Sequence, residues 1–449
     1  MSGPSRVAII GGGFSGALQA VNLLRHDGPR AVLIERRPEV GRGTAYSTPH
    51  PAHLLNVPAN NMSALPDDPG HFLRWLDAHS LGGGGPFVPR ATYGRYLSEL
   101  VEETRRRAPN RLEIVQGNAR SLDLADGVQI KLHDGRRIEA DAAVLAMGNL
   151  PPPAPDHLDP AALATCYVSD PWAPSSGSGL DSDDHVLILG TGLTMIDAVL
   201  LLQAQGFHGR ITAISRRGLI PRMQAHPISH ARLSEKPAGE VSRLLRRFRI
   251  RARAIGWQTA IDELRPFTQA MWQAATLDQK RRFLRHLRPW WDVHRHRLAP
   301  PIAQQIRFLR SVGTLKVAAG RILAFAPRRG SVEVSWRPRG SGDVQRLLAN
   351  RIINCTGPES DPSRSTEPLL LDLLSGGIVV SDILGLGLAV NSQGMLLRAD
   401  GTPSRSLFAL GPMTRGTFWE ITAVPDIRVQ AWRIARYISN AHWIGWEGL

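Results

Sequence analysis

The chain opens its regular patterning with the apolar run Val7–Ile10, passes through a glycine cluster, and continues over Phe14–Arg25 with helical spacing of apolar positions. Ala31–Ile34 is a second short apolar run, closed by Glu35, so a strand, a helix and a strand follow in order. The same succession returns far downstream. Val186–Leu189 reads as a strand, Met195–Gln203 as a helix, Gly206–Gly209 as a turn, and Ile211–Ile214 as a strand ending in Ser215-Arg216-Arg217. Beyond each block, Leu112–Leu132 and Leu315–Trp336 alternate apolar and polar residues around a central turn, the period of antiparallel strands. Each copy then ends in a buried strand, Ala142–Gly148 or Arg351–Gly357, closing on a glycine followed by Pro-rich sequence.

The glycines give the repeat its chemistry. Gly11-Gly12-Gly13-Phe14-Ser15-Gly16 and Gly190-Thr191-Gly192-Leu193-Thr194-Met195 both follow a strand and open a helix. In such a fingerprint the first glycine makes the tight turn, the second admits a pyrophosphate to the backbone, and the third lets helix pack on strand. The pattern predicts an α/β protein with two Rossmann-like, three-layer dinucleotide-binding domains. Met195 replaces the third glycine of the second copy, so that helix should stand farther from its strand.

The residue ending the second strand separates the copies. Glu35, followed by Arg36, can accept hydrogen bonds from ribose hydroxyls, and would repel a 2′-phosphate by about 4 kcal/mol at contact. The first site therefore suits FAD or NAD. Ser215, Arg216 and Arg217 offer a hydroxyl and two guanidiniums, which match a phosphate and suit NADPH. Gly148 and Gly357 let backbone approach each nucleotide.

From Gly11 to Gly148 is 137 residues and from Gly190 to Gly357 is 167, so the second copy carries an insertion. A helical window at about 235–310 supplies it. The expected organisation is an FAD-binding domain over 1–165, an NADPH-binding domain over 180–350 with that insertion, and a C-terminal part of the FAD-binding domain over 351–449. The Ser-, Gly-, Pro- and Asp-rich stretch Pro171–Asp184 reads as the first interdomain crossing.

Composition narrows the classes. With 43% hydrophobic and 21% charged residues the chain is neither disordered nor fibrous. No apolar stretch is long enough for a membrane span, and no basic-then-apolar leader precedes the first strand, so a cytoplasmic location without membrane contact is expected. Cys166 and Cys355 make no Cys-x-x-Cys pair, which argues against a zinc ribbon and a dithiol relay. The net charge is +15, and 17 Lys/Arg against 6 Asp/Glu fall between Glu235 and Arg310. That basicity reads first as solvated surface, and second as a lure for an anionic substrate or partner. Trp272, Trp290 and Trp291 interleave with it, yet no recognised nucleic-acid module is present. His226, His294 and His296 lie among arginines without carboxylate or thiolate co-ligands, so no metal is expected.

With these residues in place the chain resembles the bacterial FAD/NAD(P)-binding oxidoreductases, two-dinucleotide-binding flavoproteins related to class B and N-hydroxylating flavin monooxygenases. The resemblance rests on both fingerprints and on Gly41–Tyr46, Leu54–Ala59, Tyr93–Leu97, Phe408–Pro412 and Trp419–Arg428. It implies FAD in the first copy and NADPH in the second. It also implies that the C-terminal segment returns to the flavin domain, with Gly411 against the FAD and a helix beginning near Val424 aiming its positive end at the flavin ring. The Phe-x-Gly-x-x-x-His signature of class B enzymes is missing, the local sequence being Cys166–Trp172.

The function implied is an NADPH-consuming monooxygenase acting through a C4a-hydroperoxyflavin, with molecular oxygen and a small nucleophilic substrate, such as an amine or amino acid. Asn56, Arg90 and Glu420 are the flavin-proximal candidates for catalysis, and His294–Arg297 would shape an anionic substrate pocket beneath a cap formed by Arg288–Arg297. Two alternatives stand beside it: a reductase without oxygen transfer, and a flavin-based redox sensor that docks a partner through the basic insertion. A homo-oligomer is compatible with all three.

Overall fold

The computed structural model describes residues 4–440 apart from 26, 49, 126, 225–232 and 234. Two compact units emerge, one from Met1–Pro51, Val57–Leu150 and Glu359–Leu449, the other from Ala52–Asn56 and Pro151–Pro358.

The first unit begins with β1 (Arg6–Ile10), α1 (Phe14–Arg25) and β2 (Arg30–Glu35), continues through α2 (Gly43–Tyr46), α3 (His71–Ala78) and α4 (Arg90–Arg107), and returns as β3 (Leu112–Gln116). A small antiparallel sheet of β4 (Ala119–Asp123), β5 (Val128–Leu132) and β6 (Arg137–Ala140) precedes β7 (Ala142–Leu145).

The second unit holds β8 (Tyr167–Val168), β9 (His185–Leu189), α5 (Leu193–Ala204) and β10 (Arg210–Ser215). Then come the inserted helices α6 (Val241–Ile255), α7 (Trp257–Leu264), α8 (Thr268–Ala274), α9 (Leu277–His286), α10 (Arg288–Arg295) and α11 (Pro300–Ser311). The unit closes with β11 (Leu315–Arg328), β12 (Ser331–Pro338), β13 (Gln345–Ala349) and β14 (Arg351–Asn354). The chain re-enters the first unit as α12 (Pro368–Ser375), β15 (Met395–Leu397), β16 (Pro403–Ala409) and α13 (Val424–Ile438).

Strand order confirms the repeat. The sheets read β15-β16-β7-β1-β2-β3 and β13-β12-β11-β10-β9-β14-β8. The parallel quartets β7-β1-β2-β3 and β14-β9-β10-β11 are therefore equivalent, each copy's last strand lying beside its first. β1 and β9 are apolar throughout their inner residues and buried, as strands covered on both faces must be. The copies diverge after the third strand. In the second, the 14-residue β11 runs past a bulge between Ile322 and Ala324 and carries β12 and β13 antiparallel.

Domain limits differ from the expected ones. β14 pairs with β9, so the return crossing falls after Pro358 rather than at 351, and 151–165 joins the second unit. The short segment Ala52–Asn56 also belongs there: His53 is buried, with its Nε2 3.0 Å from the Asp197 carbonyl oxygen in α5. Nothing local in Leu54–Ala59 announces that long-range placement.

Candidate nucleotide-binding sites

In the first unit the loop between β1 and α1 is closed by contacts that only glycine permits. A Cβ on Gly11 would lie 2.4 Å from the Ala146 carbonyl oxygen, and one on Gly16 would lie 1.8 Å from that of Gly11. α1 thus seats directly on its strand, with the first-turn N–H groups of Phe14, Ser15 and Gly16 outside the helical ladder. Ala17 N–H makes the first helical bond, to Gly13 at 2.9 Å.

Glu35 does more than the sequence implies. Its Oε2 accepts from Gly12 N–H at 2.6 Å and its Oε1 from Arg37 N–H at 2.9 Å, in a buried setting. The carboxylate therefore braces the fingerprint loop while each oxygen keeps lone-pair capacity for a ribose hydroxyl. Arg36 commits its guanidinium to Glu367 at 3.0 Å, so its side chain is engaged away from this loop.

The C-terminal return completes this site. β16 pairs with β7, and Gly411 follows at φ +77° with an added Cβ only 2.6 Å from Ser15 Oγ. Gln430 of α13, which the sequence reading missed, holds it: Gly411 N–H donates to Gln430 Oε1 at 2.8 Å, and Gln430 Nε2 donates to Thr414 Oγ1 at 3.0 Å. A glutamine amid Ile427, Ala431 and Ile434 on the buried face of α13 is the only sequence signal it leaves. Val424 and Pro425 occupy the first turn of α13. Just before it, Glu420 is buried with φ +70°, a strained conformation for a residue other than glycine. Arg90 begins α4 in the same unit, whereas Asn56 falls in the second, so the three catalytic candidates do not form one cluster within either unit.

The Gly41–Tyr46 and Tyr93–Leu97 stretches are packed on each other. Gly94 lets the Tyr46 carbonyl come where a Cβ would be 2.5 Å away, and the rings of Tyr46 and Tyr93 meet edge-on at 4.8 Å. Burial raises the phenols of Tyr46 and Tyr93, and pushes Tyr96 up to about 12, so all three are held neutral.

The second fingerprint has the same turn. A Cβ on Gly190 (φ +109°) would lie 2.2 Å from the Cys355 carbonyl oxygen, whereas one on Gly192 would meet nothing. Leu193 and Thr194 are half-buried at the start of α5, and Met195 is fully buried where the third glycine would be. The first helical bond, Ile196 N–H to Gly192, is 3.4 Å long, against 2.9 Å for its counterpart in the first copy. Gly148 (φ +71°) and Gly357 (φ +95°) end the two closing strands in the same left-handed conformation, each with open space where a side chain would stand.

Hydrogen bonds redistribute the phosphate-binding trio. Gly218 N–H donates to Ser215 Oγ at 3.0 Å, and Thr191 Oγ1 donates to the Leu219 carbonyl at 2.6 Å. The 2.8 Å contact between the two hydroxyls must then use the Ser215 proton, leaving neither hydroxyl a proton for a ligand. Arg217 reaches the Arg285 and His286 carbonyls at the end of α9, at 3.3 and 3.5 Å. Only Arg216 is unengaged among these, and it is exposed.

In the insertion, Arg297 is a buried brace rather than a pocket residue. It forks onto Asp262 with two 3.0 Å bonds, donates to the His294 and Gln258 carbonyls, and lies over Trp257. Trp272 is core, and Trp290 is 44% exposed. Both cysteines are buried, and burial raises the Cys355 thiol well above its ordinary range. Among the described residues no group of His, Cys, Asp and Glu could hold a metal, and no helix could cross a membrane. His226 lies outside them.

A family model for FAD-NAD(P)-binding proteins matches residues 8–150. No curated protein matches the sequence significantly. Among solved structures, L-lysine 6-monooxygenase from Pseudomonas syringae superposes with TM-score 0.69 at 16% identity, covering 98% of this chain and 100% of that one. The ornithine N-hydroxylase of Kutzneria sp. 744 gives 0.66 at 15%, covering 97% and 98%. Lactococcus lactis thioredoxin reductase gives 0.56 at 13%, covering 97% and 99%. The fold is thus that of two-dinucleotide-binding flavoproteins, and residues 8–150 carry an FAD-NAD(P)-binding domain.

Proposed function

We propose that this chain is an FAD-dependent, NADPH-consuming oxidoreductase that transfers oxygen to a small amine or amino acid. The observation that carries the reading is the inequality of two equivalent loops: the buried carboxylate of Glu35 ends the second strand of the first, whereas in the second that place is held by Ser215, with the exposed guanidinium of Arg216 beside it. FAD, when bound, supplies a hydride acceptor and a centre that reacts with oxygen. The first-turn amides of α1, Glu35, Gly148 and Gly411 would hold it, and the N-terminus of α13 would favour negative charge on its ring. The backbone at Gly190–Gly192 and Arg216 would hold NADPH.

Amine hydroxylation is favoured by the named activities of the lysine and ornithine enzymes. A reductase without oxygen transfer is the second reading. It is favoured by the segment Cys166–Trp172, which lacks the class B signature and builds structure instead: Tyr167–Val168 pairs with β14, and the Trp172 indole donates to Asp197 at 3.2 Å. Disulfide reduction is disfavoured, since both cysteines are buried and unpaired.

The test is to purify the yellow protein, compare oxidation of NADPH and NADH, and screen amines and amino acids for a product carrying one added oxygen. Oxidation of NADPH that yields only peroxide with every amine would favour the reductase. Absence of bound flavin would overturn both.

A further inference from the structure

Arg216 is not alone. It shares a cavity of about 280 Å³ in the second unit with Arg321, Arg337 and Arg339, floored in part by Leu323 and Gly320. Strand register assembles the group. The parallel pairing of Ser215 with Ala319 brings the end of β10 beside Gly320 and Arg321, and the antiparallel register sets Arg321 directly opposite Arg337, both lining the cavity. Gly320 keeps the hairpin tight, because a Cβ there would lie 2.6 Å from both the Arg337 carbonyl oxygen and the Trp336 ring.

Like charges directly opposed on a ladder repel. Among the described residues none of the four arginines has a carboxylate partner, unlike Arg297 or Arg251 nearby in the same unit. Such an arrangement is relieved by an anion carrying about two charges with several acceptor oxygens, which is what a phosphomonoester presents to guanidinium forks. The location limits which phosphate. The cavity lies at the carboxyl end of the second strand of a dinucleotide-binding sheet, where the adenosine ribose sits.

We infer that the β11–β12 hairpin supplies the 2′-phosphate subsite, so that Arg321, Arg337 and Arg339, with Arg216, select NADPH over NADH. The assignment rests on the NADPH reading above and replaces Ser215 and Arg217 as its phosphate ligands. Arg216 and the hairpin arginines come from separate stretches of chain, and the sheet alone makes them one site.

Calorimetric titration of the intact flavoprotein with 2′,5′-ADP and with 5′-AMP tests it, using Arg321→Ala, Arg337→Ala and Arg339→Ala. Each variant should weaken 2′,5′-ADP by about 3- to 10-fold, with the loss shrinking as salt is raised, and leave 5′-AMP within about 2-fold. Arg→Gln replacements at the same positions, which remove the charge but keep the aliphatic stem and a polar end, should behave alike if an alanine variant folds poorly. A wild-type preference for 2′,5′-ADP that persists in every variant overturns the hairpin assignment and leaves the NADPH reading standing. Equal binding of the two ligands by the wild type overturns the NADPH reading, and this inference with it.

Discussion

Replacing Glu35 by glutamine isolates the double duty of this carboxylate. Both oxygens already accept backbone N–H groups, from Gly12 at 2.6 Å and Arg37 at 2.9 Å, in a buried site. Glutamine offers one oxygen and one NH₂, so one of those two backbone donors must face another donor. An unsatisfied buried N–H costs about 1–3 kcal/mol. At about 2 kcal/mol, the melting temperature of the flavin-free protein should fall by about 4–8 °C, the scale for a unit of this size. Flavin affinity should drop further, because a ribose hydroxyl loses a charged acceptor worth about 1.5–3 kcal/mol, or about 10- to 150-fold. Differential scanning of apoprotein and fluorescence titration with FAD read the two effects separately. An apoprotein that melts as the wild type does would refute the bracing role, and FAD affinity within about 3-fold of wild type would refute the ribose role.

Gly411→Ala should lose flavin binding while the second unit's nucleotide affinity is unchanged, since its left-handed backbone penalises a side chain by about 1–2 kcal/mol and the new Cβ would strike Ser15; retained flavin in the purified variant would contradict this. Arg297→Ala removes a buried fork from Asp262, two carbonyl bonds and a stack on Trp257, and should destabilise by about 2–4 kcal/mol without changing NADPH-driven flavin reduction; an unchanged denaturation midpoint would refute the brace. Burial lowers the His185 and His71 imidazoles below their ordinary value. The unfolded chain then binds more protons than the folded one below about pH 6.5, so stability should fall as pH drops through that region and rise as it returns. His185→Gln should flatten part of that slope in urea titrations, and an identical slope would exclude the residue as a source.

The repeat was legible because its glycines answer steric demands that sequence records directly: Gly11, Gly16 and Gly190 each stand where a Cβ would strike backbone. What could not be read locally was non-local. Ser215 and Arg217 sit at the expected place, but their partners, Thr191, Arg285 and His286, come from other elements. Arg321 lay inside the alternating stretch Leu315–Trp336 and Arg337 and Arg339 just beyond it, with nothing local to single them out until β10, β11 and β12 lay side by side. The boundary after Pro358 likewise depends on β14 pairing with β9, a contact between residues far apart in the chain.

The discontinuity of the first unit has a consequence for synthesis. β7 pairs on one side with β1, which emerges early, and on the other with β16, which emerges about 260 residues later. At about 5–20 residues per second the growing chain carries that sheet edge unpaired for roughly 13–50 s. An open, apolar edge is a template for pairing with other chains. Slowing translation between residues 150 and 400 should therefore lower soluble yield without changing the finished protein's stability, and a chaperone that shields strand edges during that interval should restore it.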